Sequence, residues 1–340
     1  MTIKSTFALT SAAVAASILV AACGGGGGGG GDTNSAGAAT PASAATPSSA
    51  PAASTPTSAN TSTPQYAANS AQLAVFNTIN QQRQQCGLPA LVENTQLDQA
   101  AQAHAAYMGQ NGGTITDTEV ASNPGFTGAT YADRATHVGF PGSQVYIGGE
   151  SAGYYTNATL TEAAYGQAIA YAWMGGVYHI AIASWPVTEI GLGWNETTVN
   201  GFPEIQASNS IANMQPLAGN LPLTFPCQGT TGVAYKTIGE TPTPPNTSGA
   251  YGAPVSVVGN AADTIVLTSG TYTDSSGNVI NLQLLNSSTD TNHELPAFEA
   301  VAYPVAPLNA NTTYTVSLTG TRNGTAFSRT FAFTTGNVVG

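Results

Sequence analysis

Between Tyr66 and Ser208 the apolar residues follow two spacings, and each predicts its own elements. Leu73, Phe76 and Ile79 recur three apart, with Asn77, Asn80 and Gln81 between them. That spacing predicts an amphipathic helix, ended by Gly87 and Pro89. Leu97, Ala101, His104 and Met108 share one face of a second helix. Asn94 or Thr95 caps it, Asp98 suits its first turn, and Asn111-Gly112-Gly113 ends it. On that face His104 is expected as a hydrogen-bonded core residue rather than a ligand. Thr130 caps a short third helix, Tyr131 to His137, and an alanine-rich fourth runs from about Leu160 to Trp173. A short apolar run, Val145 to Ile147, ends in paired glycines. Glu189 to Glu196 and Phe202 to Ser208 then alternate about Asn200-Gly201, as in a β-hairpin. The order of elements lacks a regular βαβ repeat, so it predicts an α+β fold, an α-β-α sandwich over residues 65–228.

Residues 229–250 contain Thr241-Pro242-Thr243-Pro244-Pro245 and read as a linker. From 251 to 340 the alternation is strand-like: Val255 to Val258, Thr264 to Leu267, Val279 to Leu285, Thr313 to Leu318 and Phe327 to Phe333. Turn signals at Ser276-Gly277-Asn278 and Asn323-Gly324 make this a small all-β sandwich. Its last strands resemble bacterial Ig-like modules. His293 falls in a polar loop with no catalytic role expected.

The N-terminus has the order of an export signal: Lys4, an apolar stretch from Phe7 to Val20, then Val20-Ala21-Ala22-Cys23. It resembles a bacterial lipoprotein signal, which implies a leader of residues 1–22 and a lipidated Cys23. Gly24 after the cysteine resembles outer-membrane sorting, with the protein facing the periplasm or the cell surface. The glycine run and the Ala, Ser, Thr and Pro residues up to 64 cannot build a core and are expected to form a tether. The expected membrane contact is through Cys23.

Composition narrows the partners. Only 7% of the residues are charged, where about 25% is usual. The net charge is −11 with six basic residues, so the chain has no footprint for nucleic acid. Besides Cys23 there are two cysteines, Cys86 and Cys227. In an exported chain an even pair reads as one disulfide closing a loop of about 140 residues, or else as two buried thiols.

In a chain this poor in charge, Glu150 and His179 in Gly-rich apolar surroundings are the first candidates for chemistry. Phe76 to Arg83, Asn94 to Met108, Asp133-Arg134, Gly149-Glu150, Trp173 to His179 and Ile190 to Gly193 also follow one another in a familiar order. Together they resemble the CAP superfamily of cysteine-rich secretory proteins, antigen 5 and pathogenesis-related proteins, in its bacterial branch. The resemblance implies the α-β-α sandwich and a cleft with two histidines and two acidic residues that can hold a divalent metal such as zinc. Here Glu150 and His179 match two of these positions. Asp117 stands where the family has a histidine, and the second acidic position falls at about Gly176. The expected metal set is therefore Glu150, His179 and Asp117, or a Glu-His pair with a structural role.

Two further readings follow. Gly149-Glu150-Ser151-Ala152-Gly153 matches the serine-hydrolase elbow, with Ser151 as nucleophile and His179 as base, but no helix starts at Ser151. Alternatively the protein is a non-enzymatic cell-envelope binding module. Tyr146, Tyr154, Tyr155, Trp173 and Tyr178 would then line a groove for a small apolar ligand, sterol or glycan, or else belong to the core. The resemblance favours the binding module, and leaves its protein partner unnamed.

Overall fold

The computed structural model describes residues 9–11, 59–141 and 147–340, with side chains from residue 59 onward. The expected leader apart from 9–11, Cys23, most of the tether and Tyr146 lie outside these residues. The N-terminal half contains β1 (Leu9–Ser11), α1 (Ala71–Gln85), β2 (Val92–Glu93), α2 (Thr95–Gln110), α3 (Tyr131–His137) and β3 (Ile147–Tyr155). It continues with α4 (Glu162–Gly175), α5 (Val177–Ala183), β4 (Val187–Val199) and β5 (Phe202–Met214). The strands form one sheet in the order β1-β3-β5-β4-β2, antiparallel except for the β2–β4 edge.

Local chemistry sets these boundaries. Ser70, Asn94, Thr130 and Thr161 each cap a helix through a side-chain oxygen. Thr130 and Asp133 complete a reciprocal capping box. The β4–β5 turn falls at Asn200-Gly201, both with positive φ, as expected of that pair. The structure adds α5, which the alanine-rich pattern runs into α4. Gly176, in extended conformation, breaks the two apart.

Helices cover both faces of the sheet. α2 and α3 lie on one side. α1, α4 and α5 lie on the other, over a core that includes Val75, Ile79, Ile169, Trp173, Ile180, Ile190 and Ile211. Contact between α2 and β4 is unusually close. A Cβ at Gly191 would sit 2.0 Å from the Leu97 carbonyl carbon, and one at Gly193 would sit 2.0 Å from the Ala101 oxygen. Arg83 of α1 is fully buried, and it donates only to main-chain oxygens, those of Pro89, Ala183, Trp185 and Val187.

The C-terminal half is all-β. It comprises β6 (Leu223–Phe225), β7 (Thr231–Val233), β8 (Val255–Val258), β9 (Ile265–Asp274), β10 (Val279–Asn281), β11 (Gln283–Asn286), β12 (Glu299–Tyr303), β13 (Thr313–Arg322) and β14 (Thr325–Thr335). These build two sheets, β10-β9-β13-β14-β7 and β11-β12-β8-β6. Val255, Val257 and Ala300 of one sheet share a core with Ile265, Tyr272, Val316 and Phe333 of the other. The expected single strand Val279 to Leu285 is split at Leu282 between the two sheets. The fold is therefore α+β, an α-β-α sandwich followed by an all-β region.

The segment expected to be a free linker is ordered and attached. Thr231–Val233 pairs with β14, Thr237 pairs with Tyr251, and the Thr237 hydroxyl donates to Gly175 O at 2.7 Å. Cys86, at the end of α1, is disulfide-bonded to Cys227, just after β6. The two halves share one apolar core: Tyr178 and Trp185 pack with Tyr251, Leu295, Phe298 and Tyr303.

Candidate functional site

Successive residues of a strand point to opposite faces, so β3 sends Glu150 and Ser151 in different directions. Glu150 faces α1 and α5, where it lines a cavity of about 10 Å³ with Arg83, Ala183, Asn209 and Ile211. Its Oε1 accepts from Asn209 Nδ2 at 2.9 Å, and its Oε2 has no hydrogen-bond partner. Burial pushes its carboxyl well above the ordinary range, against the charge of His179 and the Asn209 bond. Ser151 faces α3, with its Oγ 2.9 Å from Tyr131 Oη and 3.4 Å from Ser208 Oγ. Tyr131 in turn donates to Asp117 Oδ1 at 2.6 Å.

A buried polar knot holds the loop that carries Asp117. His104 Nδ1 is 2.9 Å from Glu119 Oε1, and its Nε2 is 2.7 Å from Thr116 O. Glu119 also accepts from Thr127 N and Gly128 N, and Arg134 donates to Asp117 O and Gly128 O. His104 is thus the core residue that its helical phase predicts, and it fixes the loop rather than a ligand.

His179 lies in the first turn of α5, whose preceding residue, Gly176, supplies no side-chain cap. The capping group comes from 61 residues away. Glu240 Oε1 accepts from Tyr178 N (2.8 Å), His179 N (3.0 Å) and His179 Nδ1 (2.6 Å). Its Oε2 accepts from Val177 N (2.8 Å) and the Tyr251 hydroxyl (2.9 Å). A carboxylate suits this place, where helix N–H groups would otherwise have no partner. On the far side of the ring, Nε2 is 3.3 Å from Ser151 O. Burial by itself would lower the His179 pKa. The Glu240 hydrogen bond and charge, with Glu150 and Asp117 beyond, override it and raise it to about 9. Glu294 of the C-terminal half joins the cluster. Burial, then the charges of Asp117, Asp290 and Glu240, push its carboxyl up to about 7.

This arrangement departs from both catalytic expectations. Ser151 sits in the middle of β3 rather than at a strand-to-helix turn, and its hydroxyl faces Tyr131. His179 meets the carbonyl of Ser151 and not its Oγ, so the pair has no nucleophile–base contact. The residues do not fit a zinc site either. Zinc needs a deprotonated imidazole nitrogen, and both nitrogens of His179 face oxygen acceptors. Among the described residues, no three His, Cys, Asp or Glu side chains are arranged to hold a metal ion.

Among the described residues the expected aromatics do not share a groove. Trp173 and Tyr178 are core, while Tyr154 packs edge-on against Tyr165 at the sheet end. The sequence reading missed Glu240, Glu294 and Tyr131. One signal was available: Glu240 is the only acidic residue between 229 and 250.

A different opening lies at the root of the tether. An open groove of about 580 Å³ runs between the chain at Tyr66 and the outer face of α2, lined by Gln72, Glu93, Asp98, Gln99, Gln102, Ala103, Ala106 and Leu192. Asp98 Oδ1 accepts from the Tyr66 hydroxyl at 2.7 Å and from Leu192 N at 2.8 Å. Burial outweighs these bonds and, with Glu93 nearby, raises the Asp98 carboxyl to about 7.

No curated protein and no solved structure matches the chain. Residues 76–206 match the family model described as CAP, the cysteine-rich secretory protein family, from within α1 to within β5, a stretch that includes both Glu150 and His179.

Proposed function

We propose that this chain is an exported cell-envelope binding protein, anchored through a lipidated Cys23 at the outer membrane, with no catalytic chemistry at Glu150, Ser151 or His179. The observation that carries this reading is the contrast between the two sites. The centre of the CAP segment is occupied by the protein's own Glu240, whereas the groove beside Tyr66 is open among the described residues. Among the described residues no basic side chain lines that groove, which disfavours phosphate or an anionic headgroup. Glutamine amides, two carboxyl groups and a tyrosine over an alanine floor fit an uncharged polyhydroxylated ligand, a glycan chain. The groove lies next to residues 61–66, at the end of the proposed tether.

The test is titration of the purified protein with neutral N-acetylated oligosaccharides, followed by calorimetry, with Ala106→Trp to fill the groove. Saturable binding that Ala106→Trp abolishes supports the reading. An inert wild type, or binding that Ala106→Trp leaves intact, overturns the assignment to this groove. The anchor is tested separately: Cys23→Ser should move the protein from the membrane fraction to the soluble fraction.

A further inference from the structure

Gly176 and Glu240 are matched in shape. Gly176 has φ −75° and ψ 149°, a conformation open to any residue, so its backbone does not require glycine. Space does. A Cβ there would come within 2.7 Å of Glu240 Oε1 and 2.9 Å of His179 Nδ1. The side chain is missing where the carboxylate of a distant segment has to enter. That carboxylate then receives five donors, from Val177, Tyr178, His179 twice and Tyr251. The segment carrying it is tied down just before, by Thr237 on the last turn of α4.

We infer that Glu240 is a latch: a built-in carboxylate ligand that closes the His179 cleft and holds the first stretch of the C-terminal half against α5, with Gly176 as its keyhole. Charge-assisted bonds to a buried carboxylate are among the stronger polar contacts, and losing the carboxylate leaves helix N–H groups and an imidazole without partners. The latch is separable from the rest of the seam, because Trp185, Phe298 and the disulfide hold the halves together independently. Its release therefore loosens the first turn of α5 and the Nδ1 side of His179 without unfolding either half.

Hydrogen exchange of the full chain tests this with three variants. Gly176→Ala drives Glu240 out while leaving its charge intact. Glu240→Ala removes the carboxylate, and Glu240→Gln keeps an acceptor of the same shape. The amides of Val177, Tyr178 and His179 should exchange at least tenfold faster in Gly176→Ala and Glu240→Ala, and less so in Glu240→Gln. Amides of β4 and β5 should keep their protection. Unchanged exchange at 177–179 in Gly176→Ala overturns the latch. So does equal loss of protection across both halves in all three variants, because the contact would then be one part of a single cooperative core.

Discussion

Ser184, at the end of α5, places its Oγ 2.6 Å from Glu299 Oε1 of β12, across the seam between the two halves. Ser256 Oγ and Trp185 Nε1 complete the surroundings of this fully buried carboxyl, at 2.8 and 3.2 Å. Ser184 has a single hydroxyl hydrogen and also lies 2.9 Å from Ala181 O. A protonated Glu299 supplies the additional hydrogen and spares the seam a buried charge.

Stability should therefore fall as pH rises. Burial raises Glu299 to about 8 despite its three hydrogen bonds, and Glu294 and Asp98 to about 7. In the unfolded chain these carboxyls lose their protons near pH 4, so above that the folded state holds more protons. His179 acts in the same direction. Its contribution is complete below about pH 6.5 and is lost as pH passes its folded value of about 9. A fully buried group adds a slope of at most about 1.4 kcal/mol per pH unit, and half-exposed Glu294 adds less because water screens it. The melting temperature should drop by several degrees between pH 5 and pH 9. Glu299→Gln should flatten part of that slope, melting close to wild type near pH 4 and increasingly above it towards pH 9. A melting temperature that rises over this range would refute the account of these carboxyls.

The disulfide joins residues 141 apart, and so bridges the end of α1 to the entry of the C-terminal half. Constraint of so long a loop in the unfolded chain gives about 2 to 4 kcal/mol. A chain beginning after Cys23 should show no free thiol when unfolded without reductant. Reduction should lower its urea midpoint without abolishing folding, since the shared core around Tyr178 and Trp185 remains. Two titratable thiols in the unreduced protein would contradict the bond.

Ser151→Ala separates the hydrolase reading from the structural one. The hydroxyl is enclosed among Tyr131, Ser208 and the sheet, with no exposed surface. Its loss should cost roughly 1 kcal/mol of stability, because Tyr131 keeps its bond to Asp117. Turnover of short acyl esters should be at background level in wild type and variant alike. Serine-dependent turnover would restore the elbow hypothesis.

These residues also show how far a sequence can be read. Helix caps are local, and Asn94 and Thr130 were legible within three residues of their partners, while the caps Ser70 and Thr161 obey the same rule but were not read. The candidate site was only half legible. Glu150 and His179 stood out because charge is scarce, but what His179 does depends on Glu240, which arrives from the C-terminal half. No periodicity records a contact between a helix start and a carboxylate 61 residues on. The same holds for β3: its paired glycines read as a strand end, yet the strand runs on from them to Tyr155. Gly149 is there because a Cβ would strike Tyr131 at 2.5 Å, a neighbour known only from the fold.

The Ile190-Gly191-Leu192-Gly193 stretch makes the same point as a prediction. Gly191 and Gly193 have no positive φ, so conformational freedom does not explain them. They are the floor on which α2 rests: a methyl group at 191 would lie 2.1 Å from Asp98 N, and one at 193 would lie 2.2 Å from the Ala101 carbonyl carbon. These neighbours are helix backbone, which cannot move aside as a side chain can, so the helix would have to lift from β4. That lift would disturb the buried contacts of Leu97, Ala101 and Met108 together. Gly191→Ala should therefore destabilise by about 3 kcal/mol or more in urea unfolding, at the severe end for single substitutions. Gly201→Ala is the control. Gly201 has φ +82° and nothing within 4 Å, so alanine there meets backbone strain alone, about 1 kcal/mol. If the two variants unfold at the same urea concentration, the α2–β4 approach is looser than these distances state, and the glycines of this motif need another cause.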